Sequence, residues 1–179
     1  MRIARLLRGT AALVLLAAAP AAAQSAAQGT AQGTGSARPP AAVPADTAAD
    51  RQAVSAVVRG IFDAMRAGDS ARIRAAFHPN AQLATSAMRQ GAPVVQFDSV
   101  GAFVHAVGTP HEEVWDERLR SETVRLDAGL ASVWTEYSFY AGQRFSHCGV
   151  NSFHLVRTAE GWKILSLVDT RRRQGCPDK

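Results

Sequence analysis

The stretch Leu130–Thr170, LASVWTEYSFYAGQRFSHCGVNSFHLVRTAEGWKILSLVDT, carries three runs rich in Val, Ile, Leu, Tyr, Phe and Trp. Short breaks at Gly142-Gln143 and Ala159-Glu160-Gly161 separate them, and such glycine-bearing breaks between β-rich runs are hairpin signals. A further run, Trp115–Leu126, precedes them across Asp127-Ala128-Gly129. The four runs therefore predict an antiparallel meander. Upstream, Ala81–Met88 and Pro93–Phe97 flank a Gln90-Gly91 turn and predict one more hairpin.

Three helices are expected before the meander. Val54, Val57, Val58, Ile61, Phe62 and Met65 recur at helical spacing between about Thr47 and Ala67, with Thr47 and Asp50 as a capping box and Gly68 as the stop. A short helix follows from Asp69 or Ser70 to near Phe77. A third, Ser99–Val107, carries Val100, Phe103, Val104 and Val107 on one side and ends at Gly108 and Pro110. Helices first and strands last argue an α+β domain rather than a parallel α/β one.

Hairpin register assigns the faces. With Ala141 opposite Arg144, Ser138 lies opposite His147, Glu136 opposite Gly149, and Trp134 opposite Asn151. With Thr158 opposite Gly161, Ser166 joins the same face. The expected interior thus combines Trp134, Glu136, Tyr140, His147, Asn151, Phe153 and Ser166, a mixture of aromatic and polar groups suited to a ligand cavity. Val133, Thr135, Tyr137, Phe139, Leu167 and Asp169 fall on the outer face, where their aliphatic run would pack a partner subunit. A bulge would exchange these sets along part of a strand. His147 and Glu136 form the candidate acid–base pair, because proton-transfer chemistry needs both within reach of one substrate. The alternative is that the two satisfy each other at the sheet rim. The acidic group Glu112, Glu113, Asp116 and Glu117 reads as a solvated strand entry.

The order of elements resembles the nuclear transport factor 2-like superfamily. AVSAVVRGIFDAMRAGDSARIRAAF (Ala53–Phe77), followed by His78-Pro79-Asn80-Ala81, is similar to that family's opening helices and first strand. FSHCGVNSFHLVRTAEGWKILSLVDTRR (Phe145–Arg172) is similar to the closing strands of its SnoaL-like and lumazine-binding branches. The resemblance covers about residues 50–173. It implies a cystatin-like curved sheet wrapped around helices, a pocket at the open end, and dimerisation across the outer face. Steroid-isomerase chemistry is not expected, because the first strand lacks Asp and Glu and the first helix lacks Tyr.

The N-terminus reads as a leader over residues 1–23. Arg2, Arg5 and Arg8 precede an apolar stretch too short to span a membrane, and Ala21-Ala22-Ala23 offers a cleavage site. Residues 24–45 are rich in Ala, Gly, Gln, Thr and Pro and read as a tether. The domain covers residues 46–173, and a tail covers residues 174–179. The formal charge of +5 falls to +2 without the three leader arginines, so the basic isoelectric point does not argue for nucleic-acid binding. The run Arg171-Arg172-Arg173 reads as a solvated end. In an oxidising compartment, Cys148 and Cys176 suggest one disulfide rather than two free thiols. No metal-ligand, phosphate-loop or nucleophile-elbow pattern occurs, and no cofactor is expected. The chain is thus expected to be a periplasmic or secreted protein, membrane-free once its leader is cleaved, that binds an aromatic or cyclic small molecule. The alternatives are a SnoaL-like isomerase, cyclase or dehydratase working in the same pocket, and a non-catalytic homodimerising domain.

Overall fold

A computed structural model of the chain describes residues 46–178. The expected leader and tether lie outside the described residues. The elements run α1 (Ala48–Ala67), α2 (Ser70–Ala76), β1 (Phe77–Arg89), β2 (Ala92–Asp98), α3 (Val100–Gly108), β3 (Trp115–Leu119), β4 (Thr123–Asp127), β5 (Leu130–Ala141), β6 (Arg144–Thr158) and β7 (Gly161–Arg171). The strands form one sheet in the order β2-β1-β7-β6-β5-β3, with β4 also paired to β5. Only β1 and β7 pair in parallel among the described strands.

Local chemistry places the helices. The Thr47 hydroxyl accepts from the Asp50 N–H at 3.1 Å while the Asp50 carboxylate accepts from the Thr47 N–H at 3.2 Å, satisfying two donors left free at the helix start. Gly68 ends α1 in the left-handed region at φ 67°. Val54, Val58, Ile61 and Phe62 face the sheet and share a core with Val133, Phe153, Leu155 and Ile164. Phe62 meets Phe153 edge-on, with ring centroids 6.1 Å apart.

The expected Trp115–Leu126 strand is two strands, broken at Arg120–Glu122. There the Arg120 N–H donates to the Glu136 carbonyl at 2.8 Å, and the Ser121 hydroxyl accepts from the Glu136 N–H at 3.3 Å. These contacts occupy the backbone of β5 between its pairings with β3 and β4.

Two bulges correct the face assignment. Ala141 pairs with Arg144 as expected, but Ser146 is an extra residue on β6, so His147 pairs with Phe139 rather than Ser138. Every pair beyond it is displaced by one: Thr135 meets Asn151 and Val133 meets Phe153. Leu165 is a second extra residue, on β7, which places Ser166 opposite His154. Because the side-chain period of a strand is two, a one-residue slip moves a whole set to the other face. Val133, Thr135, Tyr137, Phe139, Leu167 and Asp169 therefore line the helix-covered face. Trp134, Glu136, Tyr140 and Ser166 stand on the outer one.

Cys148 and Cys176 are joined as a disulfide. Cys148 also exchanges two backbone hydrogen bonds with Arg172, each 2.9 Å. Arg120 pairs with Asp178 at 2.6 Å, a second tie on the residues after β7.

Candidate functional site

A cavity of about 600 Å³ opens between the helices and the concave face of the sheet. Ile61, Phe62 and Met65 of α1 and Phe103 and Ala106 of α3 form one wall. The opposite wall takes residues of six strands, among them Thr85 of β1, Asp98 of β2, Trp115 and Glu117 of β3, Tyr137 and Phe139 of β5, His147 and Asn151 of β6, and Leu167, Asp169 and Arg171 of β7. This combination, apolar walls with a few convergent polar groups, is the usual make-up of a small-molecule site.

Flat rings dominate the β3 end of the cavity. Trp115 stacks on His111 at 3.9 Å and meets Phe139 edge-on at 6.3 Å. The His147 ring lies nearly parallel to Phe139, with centroids 4.9 Å apart and 24° between planes.

The polar groups fall into two units. In the first, Asn151 Nδ2 donates to Glu117 Oε1 at 2.7 Å and lies 3.4 Å from Thr135 Oγ1. In a flat sheet Glu117 and Asn151 would be well over ~10 Å apart, because two strand spacings and four residues of strand separate them. Their bond requires a strongly concave face. Burial pushes the Glu117 carboxyl up to about 7, and the negative charge of Asp169 adds to that rise. The Asn151 bond and the Arg171 charge oppose it. In the second unit, Asp169 accepts from Thr85 Oγ1 at 2.5 Å and from Arg171 Nε at 2.7 Å. The Tyr137 hydroxyl donates to the Thr170 carbonyl at 2.9 Å. Burial, with Glu117 and Asp169 close by, holds the tyrosine well above its ordinary value, so it stays a neutral donor. His147 is pushed below its ordinary value by burial first and by Arg171 second, which makes it neutral at pH 7.

Of the residues expected in the site, His147 and Asn151 line the cavity. Phe153 faces inward but is fully buried in the core beneath it. Trp134 is 53% exposed on the outer face. Tyr140 lies under the Arg118 guanidinium, 4.0 Å from ring centroid to charge, and Ser166 Oγ lies 3.1 Å from His154 Nδ1. Glu136 pairs with Val150 on the outer face, so Glu136 and His147 do not form an acid–base pair. The carboxylates of the cavity are Glu117, Asp98 and Asp169 instead. Glu117 belongs to the group read as a solvated strand entry, and Arg171 to the run read as a solvated end. Alternation within β3 is the signal that separates Glu117 from its neighbours: Trp115, Glu117 and Leu119 share one face, Asp116 and Arg118 the other. Among the described residues, no group of three or more His, Cys, Asp and Glu is placed to hold a metal ion.

Residues 49–168 match the model of a protein family described as putative lumazine-binding. The chain belongs to that family. Its domain has the fold of the nuclear transport factor 2-like superfamily. It is similar to a nuclear transport factor 2-like protein with a cystatin-like fold from Novosphingobium aromaticivorans, with TM-score 0.58 and 12% identity over 73% of this chain and 86% of that one. It is similar also to a cystatin-like domain from Nostoc punctiforme, with TM-score 0.55 and 22% identity over 73% and 82% of the two chains. A nuclear transport factor 2-like protein from Silicibacter pomeroyi gives TM-score 0.53 and 19% identity over 72% and 100%. These likenesses establish the fold. No curated protein is similar enough to match.

Proposed function

We propose that the chain binds a small, planar, cyclic molecule in the cavity between α1, α3 and the sheet. One observation carries this reading. The cavity of about 600 Å³ combines stacked aromatic walls with the Glu117–Asn151 unit, and both residues line it. The family description supplies the first probe, lumazine itself. Thermal unfolding of the full chain against a panel of ring compounds tests the reading. A ligand present at a hundred times its dissociation constant stabilises the native state by about 2.7 kcal/mol and raises the melting temperature. Ala106→Trp, which fills the cavity from α3, is expected to abolish that rise. If no ring compound raises the melting temperature, the reading is wrong.

A second reading is acid–base catalysis on the bound ring. A carboxyl held at about 7 is poised to give and take protons near neutral pH, and Glu117 takes the role first assigned to Glu136. Glu117→Gln is then expected to remove turnover by at least about a hundredfold while the complex still forms. Turnover that survives the change excludes the catalytic role.

The disulfide is compatible with a periplasmic or secreted location, and no helix among the described residues is long and apolar enough to cross a membrane. We propose export with cleavage before Gln24, and a homodimer seated on the outer sheet face around Trp134, Leu130 and Val168, which are exposed there. Native mass spectrometry of the protein recovered after export reads both points. The expected species is a dimer of chains that begin at Gln24. A monomer that keeps residues 1–23 contradicts both.

A further inference from the structure

The charged groups of the cavity are segregated along its walls. Asp98 lines it opposite Leu83, while Arg89 lies at the other end of the same hairpin, opposite Ala92. Six residues of extended strand separate Leu83 from Arg89, roughly 20 Å. Glu117 stands across the sheet on β3. Where β1 and β7 finish, the charged residues that line the cavity are Arg89 and Arg171 against Asp169 alone. Asp169 is already answered by Thr85 and Arg171.

The register brings the two arginines together. Ala87 pairs in parallel with Arg171, so Arg89, two residues further on, shares the inner face with it. Diagonal neighbours on one face stand roughly 7–8 Å apart, within reach of two side chains this long. Arg89 is exposed, and its Nη2 donates to the neutral Gln96 Oε1 at 2.9 Å. It has no ion pair with a carboxylate among the described residues. Arg171 gives Nε to Asp169, and its side chain is 56% exposed. A guanidinium carries five N–H donors in a planar fork, so both keep donors that can turn to an anion. Burial first, then Arg171, and more weakly Arg173, hold His147 below its ordinary value, while Asp169 opposes them. The positive field of this end thus reaches the ring that lies nearly parallel to Phe139.

We propose that Arg89 and Arg171 form an anion subsite at the mouth of the cavity, and that the ligand is a planar ring carrying a carboxylate. The ring lies on the Trp115, Phe139 and His147 side. Its carboxylate accepts from the guanidinium forks on the β1–β7 side, in the charge-assisted geometry that suits arginine. Two strand spacings, about 10 Å, separate β7 from β5, a span that a fused bicyclic acid covers. The assignment rests on the reading that the cavity holds a planar ring, and it adds the charge of the ligand and its direction in the site. Arg89 sets the preference for an anion, because it gives up no ion pair when one binds.

Isothermal titration calorimetry of the full chain with 2-naphthoate and its neutral amide, 2-naphthamide, tests the proposal. The two probes share a ring and differ in charge. The parent protein is expected to bind the acid at least about tenfold more tightly than the amide. That preference is expected to shrink as salt is raised, because the mouth is open to solvent and its charges are screened. Arg89→Gln is expected to melt with the parent, since Arg89 is exposed at the end of β1, and to lose most of the preference. Arg89→Lys keeps the charge without the fork and is expected to fall between the two. Amide bound as tightly as acid, or a preference that Arg89→Gln leaves intact, overturns the anion subsite and leaves the ring reading standing. Binding of neither probe removes the ring reading and the anion subsite together.

Discussion

Gly149→Ala is expected to lower stability by about 3 kcal/mol or more, at the upper end of what overpacking costs. The reason is a close approach of two strands. A Cβ at position 149 would lie 1.8 Å from the Thr170 carbonyl oxygen and 2.8 Å from both the Thr170 carbonyl carbon and Tyr137 Cε1. The nearest obstacle is backbone, which no rotamer change removes. Thr170 would have to retreat, and it holds the Tyr137 hydroxyl at 2.9 Å. Asp169 and Arg171 flank it and both line the cavity. One methyl group should therefore disturb the core and the site together. Chemical denaturation of the variant measures the effect, and a midpoint unchanged from the parent would show that β6 and β7 separate at little cost. Ligand affinity should fall in parallel, because the displaced segment carries Asp169 and Arg171 of the polar lining.

Cys176→Ser is expected to cost about 3–4 kcal/mol, the chain-entropy value for a loop of this length. The two cysteines are 28 residues apart. Cys148 follows His147 directly, and successive residues of a strand point to opposite faces. The covalent link on the outer side is thus anchored next to a ring that lines the cavity. Its loss leaves the residues beyond β7 tied by the Arg172–Cys148 backbone hydrogen bonds and the Arg120–Asp178 ion pair. Denaturant unfolding under oxidising conditions, variant against parent, gives the number. A difference below about 1 kcal/mol would mean that the other tail contacts already hold it in place.

Much of the architecture is legible in the sequence because it depends on local chemistry. The capping box at Thr47 and Asp50, the apolar stripe from Val54 to Met65 and the left-handed Gly68 mark α1 almost to the residue. The hairpin breaks at Gly142-Gln143 and around Gly161 give the order of the meander, and they set the first pairs of both hairpins correctly. The interior face is less legible. It depends on two extra residues, Ser146 and Leu165, and neither is a glycine or any other type that betrays a bulge. His147, Asn151 and Phe153 still fall inside, because they and the hairpin partners first assigned to them moved relative to each other. Trp134, Glu136 and Ser166 do not. The Glu117–Asn151 bond is hidden for a different reason. It spans two strands and exists only because the sheet curls, which no pairwise spacing records. Asp169, which the register placed on the outer face, and Arg171, at the head of three arginines read as a solvated end, show no link to a cavity until the parallel pairing of β1 with β7 places Thr85 beside Asp169.

The three tryptophans occupy three different environments. Trp162 is buried in the core, Trp134 stands in water on the outer face, and Trp115 is stacked on His111 at the rim of the cavity. Their emission should resolve accordingly: a blue component from Trp162, a red one from Trp134 that collisional quenchers such as iodide remove first, and one from Trp115 that alone responds to a ring entering the site. Burial of the outer face would protect Trp134 from the quencher and leave the other two unchanged. Unfolding, association and occupancy can thus be read as separate optical signals from the native chain, without any label.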